Sequence, residues 1–144
     1  MFRVTRRYQF AASHRLHSAA LSEQANRELY GKCNNPYGHG HNYIVEVSVR
    51  GPLDPDTGRA VDPAQLDELV RREVIAPFDH RNLNEEIPDF AAVVPTSENL
   101  AHEICRRLKR NWKSVFPGGS PTLEKIRIGE TARNIFEVGA HEIE

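Results

Sequence analysis

The sequence predicts an α+β chain in which an antiparallel sheet carries two helices on one face. Three observations support this. Two segments near the start alternate with the period of two that marks a strand, two middle segments place apolar residues at helical spacing, and two short alternating segments close the chain. Strands that come in blocks, ββααββ, favour an antiparallel sheet of four strands over a parallel one. The other sheet face is then either solvated or covered by another subunit.

The elements follow in order. Residues 2–13 read as a strand in which Val4, Arg6, Tyr8 and Phe10 alternate with Thr5, Arg7 and Gln9. Residues 17–42 read as a long polar connection, a length more often functional than idle. Residues 43–50 put Tyr43, Val45, Val47 and Val49 on one face and Ile44, Glu46, Ser48 and Arg50 on the other. A turn at Asp54–Gly58 leads to a helix with Asp62 as N-cap and Pro63 at its first position. Leu66, Leu69, Val70 and Val74 form its apolar stripe, and Pro77 ends it. Thr96 or Ser97 caps a second helix striped by Leu100, Ile104, Leu108 and Trp112 and stopped by Pro117-Gly118-Gly119. Cys105 lies on that stripe and reads as core, whereas Arg106, Arg107, Lys109 and Arg110 read as its solvated face. Residues 122–129 and 134–138 are the last strands.

Composition narrows the function classes. With 144 residues, the chain 1–144 has the size of a single domain. Hydrophobic residues at 39%, charged residues at 27% and a mean hydropathy of −0.58 argue against disorder and membrane residence. Nineteen basic residues against twenty acidic ones leave a net charge of −1, which argues against a general nucleic-acid binder. Two cysteines make no disulfide framework and suit a reducing cytoplasm. The basic N-terminal residues precede no apolar signal region, and no stretch approaches the roughly 18 apolar residues of a spanning helix, so neither secretion nor insertion is expected.

The strongest local feature is Cys33-Asn34-Asn35-Pro36-Tyr37-Gly38-His39-Gly40-His41. Side chains two apart in extended chain point to one side, so His39 and His41 can share one ion, and imidazole suits zinc. His14, at the end of the first strand, offers a third imidazole if the two strands are hairpin neighbours. Three protein ligands with one position open is the catalytic zinc pattern. Solvated histidines are the competing reading. The flanking glycines and the nearby Cys33 favour metal. Cys33 itself is a fourth ligand closing a structural site, a base or nucleophile beside an open one, or a small buried hydrophobe; its polar loop argues against the last. Asp79-His80 follows a Pro-bounded turn. A carboxylate can orient a histidine, but such a pair in a loop is more often a turn or cap, and Asn82 and Asn84 strengthen that reading. Glu98 and Glu130 are single acids without a pattern.

Together these segments resemble the 6-pyruvoyl-tetrahydropterin synthase family. The carrying motifs are Phe10-Ala11-Ala12-Ser13-His14-Arg15-Leu16, Gly31-Lys32-Cys33 through His41-Asn42-Tyr43, Asp79-His80-Arg81-Asn82-Leu83-Asn84, Pro95-Thr96-Ser97-Glu98-Asn99 and Glu130-Thr131. The motifs stand in family order, and the resemblance spans residues 8–138. Phe78 and Ala11 depart from the usual Leu and Ser without touching a named role. The resemblance implies the tunnelling fold, whose sheets join into a barrel in a homohexamer, a dimer of trimers, with active sites between subunits. It implies that His14, His39 and His41 bind Zn²⁺, that Cys33 is the catalytic base, and that Asp79 and His80 relay protons. It implies that Glu130 anchors a pterin, with Thr96, Ser97 and Glu98 lining the pocket. The implied activity is a lyase acting on 7,8-dihydroneopterin triphosphate, with Lys32 and Arg15 as candidate triphosphate contacts. The family has two branches. One makes 6-pyruvoyl-tetrahydropterin in tetrahydrobiopterin biosynthesis; the other makes 6-carboxy-tetrahydropterin, releasing acetaldehyde, on the route to queuosine. The C-x₅-H-x-H spacing from Cys33 to His41 resembles the pyruvoyl branch. A closed Cys-His₃ zinc module and a metal-free hydrolase using Cys33, His80 and Asp79 are the competing classes.

Overall fold

β1 (Phe2–His14) and β2 (His39–Gly51) pair antiparallel along their whole lengths, from Phe2 opposite Gly51 to His14 opposite His39. β4 (Thr122–Gly129) pairs with the other edge of β2, and β5 (Ile135–Gly139) with β4, both antiparallel. This computed structural model describes residues 1–144. The predicted sheet is present, with one addition. β3 (Arg81–Asn82) runs parallel to β1 beside Ala12 and Ser13, giving the order β3-β1-β2-β4-β5. At two residues, β3 is too short for an alternation pattern to reveal it.

One sheet face is apolar as the alternation requires. Phe10, Tyr43, Val45, Val47, Ile126 and Ile128 are buried beneath α2 (Pro63–Val70) and α5 (Ser97–Val115), whose Leu66, Leu69, Leu100, Ile104 and Leu108 complete one hydrophobic cluster. Cys105 belongs to that cluster. A register shift between Ser48 and Val49 leaves Ser48 buried, and its hydroxyl bonds that of Thr5 at 2.7 Å. No helix is long and apolar enough to cross a membrane.

Three local features differ from the sequence reading. The polar connection contains α1 (Glu23–Tyr30) and a 3₁₀ turn at Gly31–Asn34. It lacks an apolar stripe, so periodicity does not disclose it. Polar bonds hold it instead: Ser22 caps the helix, and the fully buried Asn26 accepts from Ser18 N and donates to the Ser18 and Ser22 carbonyls. Past Val70 the second helix widens into a π turn at Arg71–Ile75 and continues as α3 (Ala76–Phe78), with Pro77 inside it. The π turn immediately before Pro77 interrupts the regular backbone ladder where the proline lacks an N–H. Finally, the basic run on α5 is only partly solvated. Buried Glu103 accepts from Arg106 and Arg107, Arg107 lies 4.7 Å over the Phe78 ring, and Lys109 donates to the Ala140 and Ile143 carbonyls.

Between Asp79 and the last long helix, Asn82 caps α4 (Leu83–Glu86) by accepting from Asn84 N and Glu85 N. Asn84 then clamps the chain after β1, accepting from Arg15 N at 2.7 Å and donating to Arg15 O at 2.9 Å. Thr96 caps α5. At the entrance to β2, Gly38 has φ +69°, and a Cβ there would lie 2.5 Å from the His14 carbonyl oxygen. At Gly40 the nearest atom to such a Cβ is 3.6 Å away, so the two glycines flanking His39 are not equivalent.

Two stability tests follow. Ile104→Ala should lower unfolding free energy by about 2–5 kcal/mol, whereas Leu29→Ala, at an exposed α1 position, should stay within about 0.5 kcal/mol; denaturant titration measures both. Gly38→Ala combines a disfavoured backbone with a backbone clash and should cost about 1–3 kcal/mol and reduce bound metal, while Gly40→Ala should do neither.

Candidate metal centre and active site

The β1–β2 register builds the site. His14 faces His39, and Ala12 faces His41. His14, His39 and His41 all project from the inner face, where opposed positions bring side chains within reach of one another. The imidazole centroids are 5.6 Å apart for His14–His39, 4.9 Å for His14–His41 and 4.5 Å for His39–His41. The 3₁₀ turn after α1 delivers Cys33, whose carbonyl accepts from Leu16 N at 2.7 Å and whose Sγ lies 2.9 Å from His39 Nε2.

His14 is fully buried, and its Nδ1 lies 2.9 Å from the Pro95 carbonyl. A carbonyl only accepts, so Nδ1 carries the proton and Nε2 presents a lone pair. That Nε2 faces His41 Nε2 at 3.2 Å. Burial lowers the pKa of His14 and His41, holding both in the neutral, metal-binding form, although Glu130 opposes the shift at each. The Tyr43 hydroxyl, 3.3 Å from His14 Nδ1, is pushed up by burial and remains protonated.

One ligand atom from each of His14, Cys33, His39 and His41 can be chosen so that all lie within 4.8 Å of one another. Zinc–ligand bonds of about 2.0–2.3 Å in a tetrahedron place ligand atoms roughly 3.3–3.8 Å apart, so small adjustments seat an ion. The donor set, three imidazoles with a thiol, has the chemistry zinc takes. The residues fit a metal. Without one, burial first and Glu130 second push the Cys33 pKa up, favouring the thiol. A cation beside Sγ works in the opposite direction.

Glu130 stands at the exit of β4. Its Oε1 lies 3.3 Å from His41 Nε2, and its Oε2 accepts from the buried Ser97 hydroxyl at the start of α5. Ser97 and Glu130 therefore join the cluster. Thr96 spends its hydroxyl on the α5 cap, accepting from Asn99 N, and Glu98 is exposed on the first turn.

Asp79 and His80 do form a pair, with His80 Nδ1 3.0 Å from Asp79 Oδ2. Asp79 Oδ1 accepts from Ala11 N, and His80 N donates to Ala11 O. The Ala11 N–H is the main cause of the lowered Asp79 pKa, with the His80 charge adding to it. His80 has φ +60°, rare for a non-glycine residue, and its side chain is 82% exposed beside Ser13, Gly40 and Asn42. Those neighbours belong to the outward sheet face. No hydrogen bond or ion pair connects the Asp79–His80 pair to Cys33 or to the three histidines of the same chain.

The sequence reading missed the Pro95 carbonyl, Tyr43 and Asn34. A backbone acceptor leaves no trace in residue type. Asn34 is buried and donates to the Leu16 carbonyl at 2.7 Å, fastening the Cys33 turn to the end of β1.

Comparison with known proteins agrees with this arrangement. The family model described as 6-pyruvoyl tetrahydropterin synthase matches residues 3–141. A 6-pyruvoyl tetrahydrobiopterin synthase of Poecilia reticulata is 48% identical over 92% of this chain and 86% of its own length. The Homo sapiens protein of the same name is 46% identical over 92% of this chain and 87% of its own. The structure of Caenorhabditis elegans 6-pyruvoyl tetrahydropterin synthase superposes with a TM-score of 0.84 at 42% identity, covering 96% of this chain and 94% of that one. Matched by the family model over nearly its whole length, and close to half identical to these relatives, this chain belongs to the 6-pyruvoyl tetrahydropterin synthase family.

Proposed function

We propose that this chain is a zinc-dependent carbon–oxygen lyase that converts 7,8-dihydroneopterin triphosphate to 6-pyruvoyl-tetrahydropterin with loss of triphosphate. The observation that carries the reading is the convergence of His14, His39 and His41 with Cys33 at one end and the Ser97-held Glu130 at the other. Zinc, when bound, supplies Lewis acidity that makes the C–H and O–H groups of the substrate side chain more acidic.

The chain's own residues do the rest. Pro95 O fixes the His14 tautomer, and Gly38 lets β2 close on His14. Glu130 accepts two charge-assisted hydrogen bonds from the pterin's amino and ring N–H groups, with Ser97 orienting the carboxylate. Thr96 and Glu98 shape the wall of the same pocket through the first turn of α5. Cys33, as thiolate, takes a carbon-bound proton; the electron pair forms a carbon–carbon double bond as the C–O bond to triphosphate breaks. Asp79 and His80 then move a proton during tautomerisation. Because that pair faces outward, the reading has it act on the Cys33 site of a neighbouring subunit, as in a homohexamer of two trimers. The two unbridged cysteines support a cytoplasmic setting.

The proximity of Cys33 Sγ to all three histidines supports a second reading, a closed Cys-His₃ zinc site. Cys33→Ala separates the two. In the lyase reading it keeps zinc and loses about 10²–10⁴ in turnover; a closed site loses zinc instead. Mass spectrometry of the anaerobic reaction should find a pyruvoyl side chain and no acetaldehyde, whereas a carboxy product with acetaldehyde would move the chain to the queuosine branch. Mixed refolding of inactive Cys33→Ala with inactive His80→Ala should restore part of the activity, since hybrid oligomers contain intact sites. Recovery of none would place the relay elsewhere.

A further inference from the structure

The tautomer of His14 depends on a single carbonyl, and that carbonyl sits in a segment with few holds. Ala91, Ala92 and Val93 are exposed, and residues 92–95 enter hydrogen bonds only through the Val94 and Pro95 carbonyls. Pro95 has no N–H to add. Val94 O accepts from two donors. One is Thr96 N, at 2.8 Å, which closes a three-residue turn around Pro95; the other is Asn99 Nδ2, also at 2.8 Å. The Asn99 side chain thus ties this segment to the first turn of α5. A carbonyl only accepts, so the tie needs an N–H donor at that position.

Asn99 divides its donors between two tasks. Its backbone N–H donates to the Thr96 hydroxyl at 3.2 Å, completing the cap of the helix that places Ser97 against Glu130. Its amide holds Val94, and with it the Pro95 carbonyl 2.9 Å from His14 Nδ1. Asn99 itself makes no hydrogen bond to His14, Cys33, His39, His41 or Glu130. We propose that Asn99 is a positioning residue of the metal centre: through Val94 it keeps the Pro95 carbonyl on His14, so that the Nε2 lone pair stays turned toward the ion. The proposal rests on His14 being a metal ligand, as the lyase reading has it. The helix start does not demand the amide. Asn99 is the third residue of α5, where an acidic side chain is at least as favourable to the free N–H groups and the helix dipole. Asn99→Asp therefore keeps the size and the helix start while removing the donor.

The test reads zinc affinity, by competition with a chromogenic chelator, apart from turnover. Denaturant unfolding and the ¹⁵N shifts of the His14 ring in zinc-free protein are measured in parallel. Groups that orient a ligand imidazole directly are worth about 10–100-fold in metal affinity, and a group one bond further out is worth less, so Asn99→Asp should weaken zinc about three- to tenfold. Its unfolding midpoint should match the parent's, and the His14 shifts should move from the Nδ1–H form toward a mixture of tautomers. Asn99→Gln, which retains an amide donor, should recover part of the loss. Parent-like zinc affinity and His14 shifts in Asn99→Asp would overturn the assignment and leave the lyase reading intact. Zinc loss that only tracks a lowered unfolding midpoint would overturn it too. The expected zinc and tautomer changes in a protein that converts no pterin would uphold Asn99 as a positioning residue and remove the lyase reading.

Discussion

His14 meets His39 because β1 and β2 keep one register over thirteen residues each, and almost everything functional depends on that pairing. A slip of one residue would turn His39 and His41 to the outward face together with Tyr43, Val45, Val47 and Val49. The core and the metal centre are thus specified by the same alternation. Burial of the valines holds the imidazoles in place, and the cost of misplacing one set falls on both. Gly38 sets the start of this pairing: its positive φ turns the chain out of the Cys33 loop while its missing side chain leaves room for the His14 carbonyl.

Burial has opposite consequences for the groups gathered there. It keeps His14 and His41 neutral, which favours metal binding, but raises the pKa of Cys33, which opposes thiolate formation. Glu130 adds to the penalty at Cys33 because two anions would share one small space. A cation among the four side chains relieves both effects, and a cationic or N–H-rich ring at Glu130 relieves the second. A cation in the site and a cationic group at Glu130 therefore act on the Cys33 pKa in the same direction, downward.

Much of this was legible in the sequence because much of it is periodic. The Tyr43–Val49 alternation, the α5 stripe and the H-x-H spacing all report a side-chain direction, and each is realised. Elements held by polar bonds were not legible. α1 rests on the Ser22 cap and the buried Asn26, β3 is two residues long, and the π turn after Val70 leaves the apolar stripe unbroken. The same division runs through the site. The three histidines announce themselves by type and spacing, whereas the Pro95 carbonyl that selects a tautomer does not. The Asp79–His80 pair was visible as a motif, but its direction was not, since direction depends on the single αL residue.

That residue explains why the pair looks away from its own Cys33. Ala11 offers both of its backbone groups to the two residues before β3: its N–H binds Asp79 Oδ1, and its carbonyl accepts from His80 N. Satisfying both within two residues forces a sharp change of direction, and His80 accepts it at φ +60°. Such a conformation costs about 1–3 kcal/mol for a residue with a side chain and persists only where neighbouring bonds over-determine it. Here they do, and the result is a carboxylate–imidazole pair clamped to the sheet edge with its ring in solvent. No hydrogen bond or ion pair links that ring to the thiol or the imidazoles of its own chain, so the strained residue fixes the direction of the pair without joining it to the metal centre.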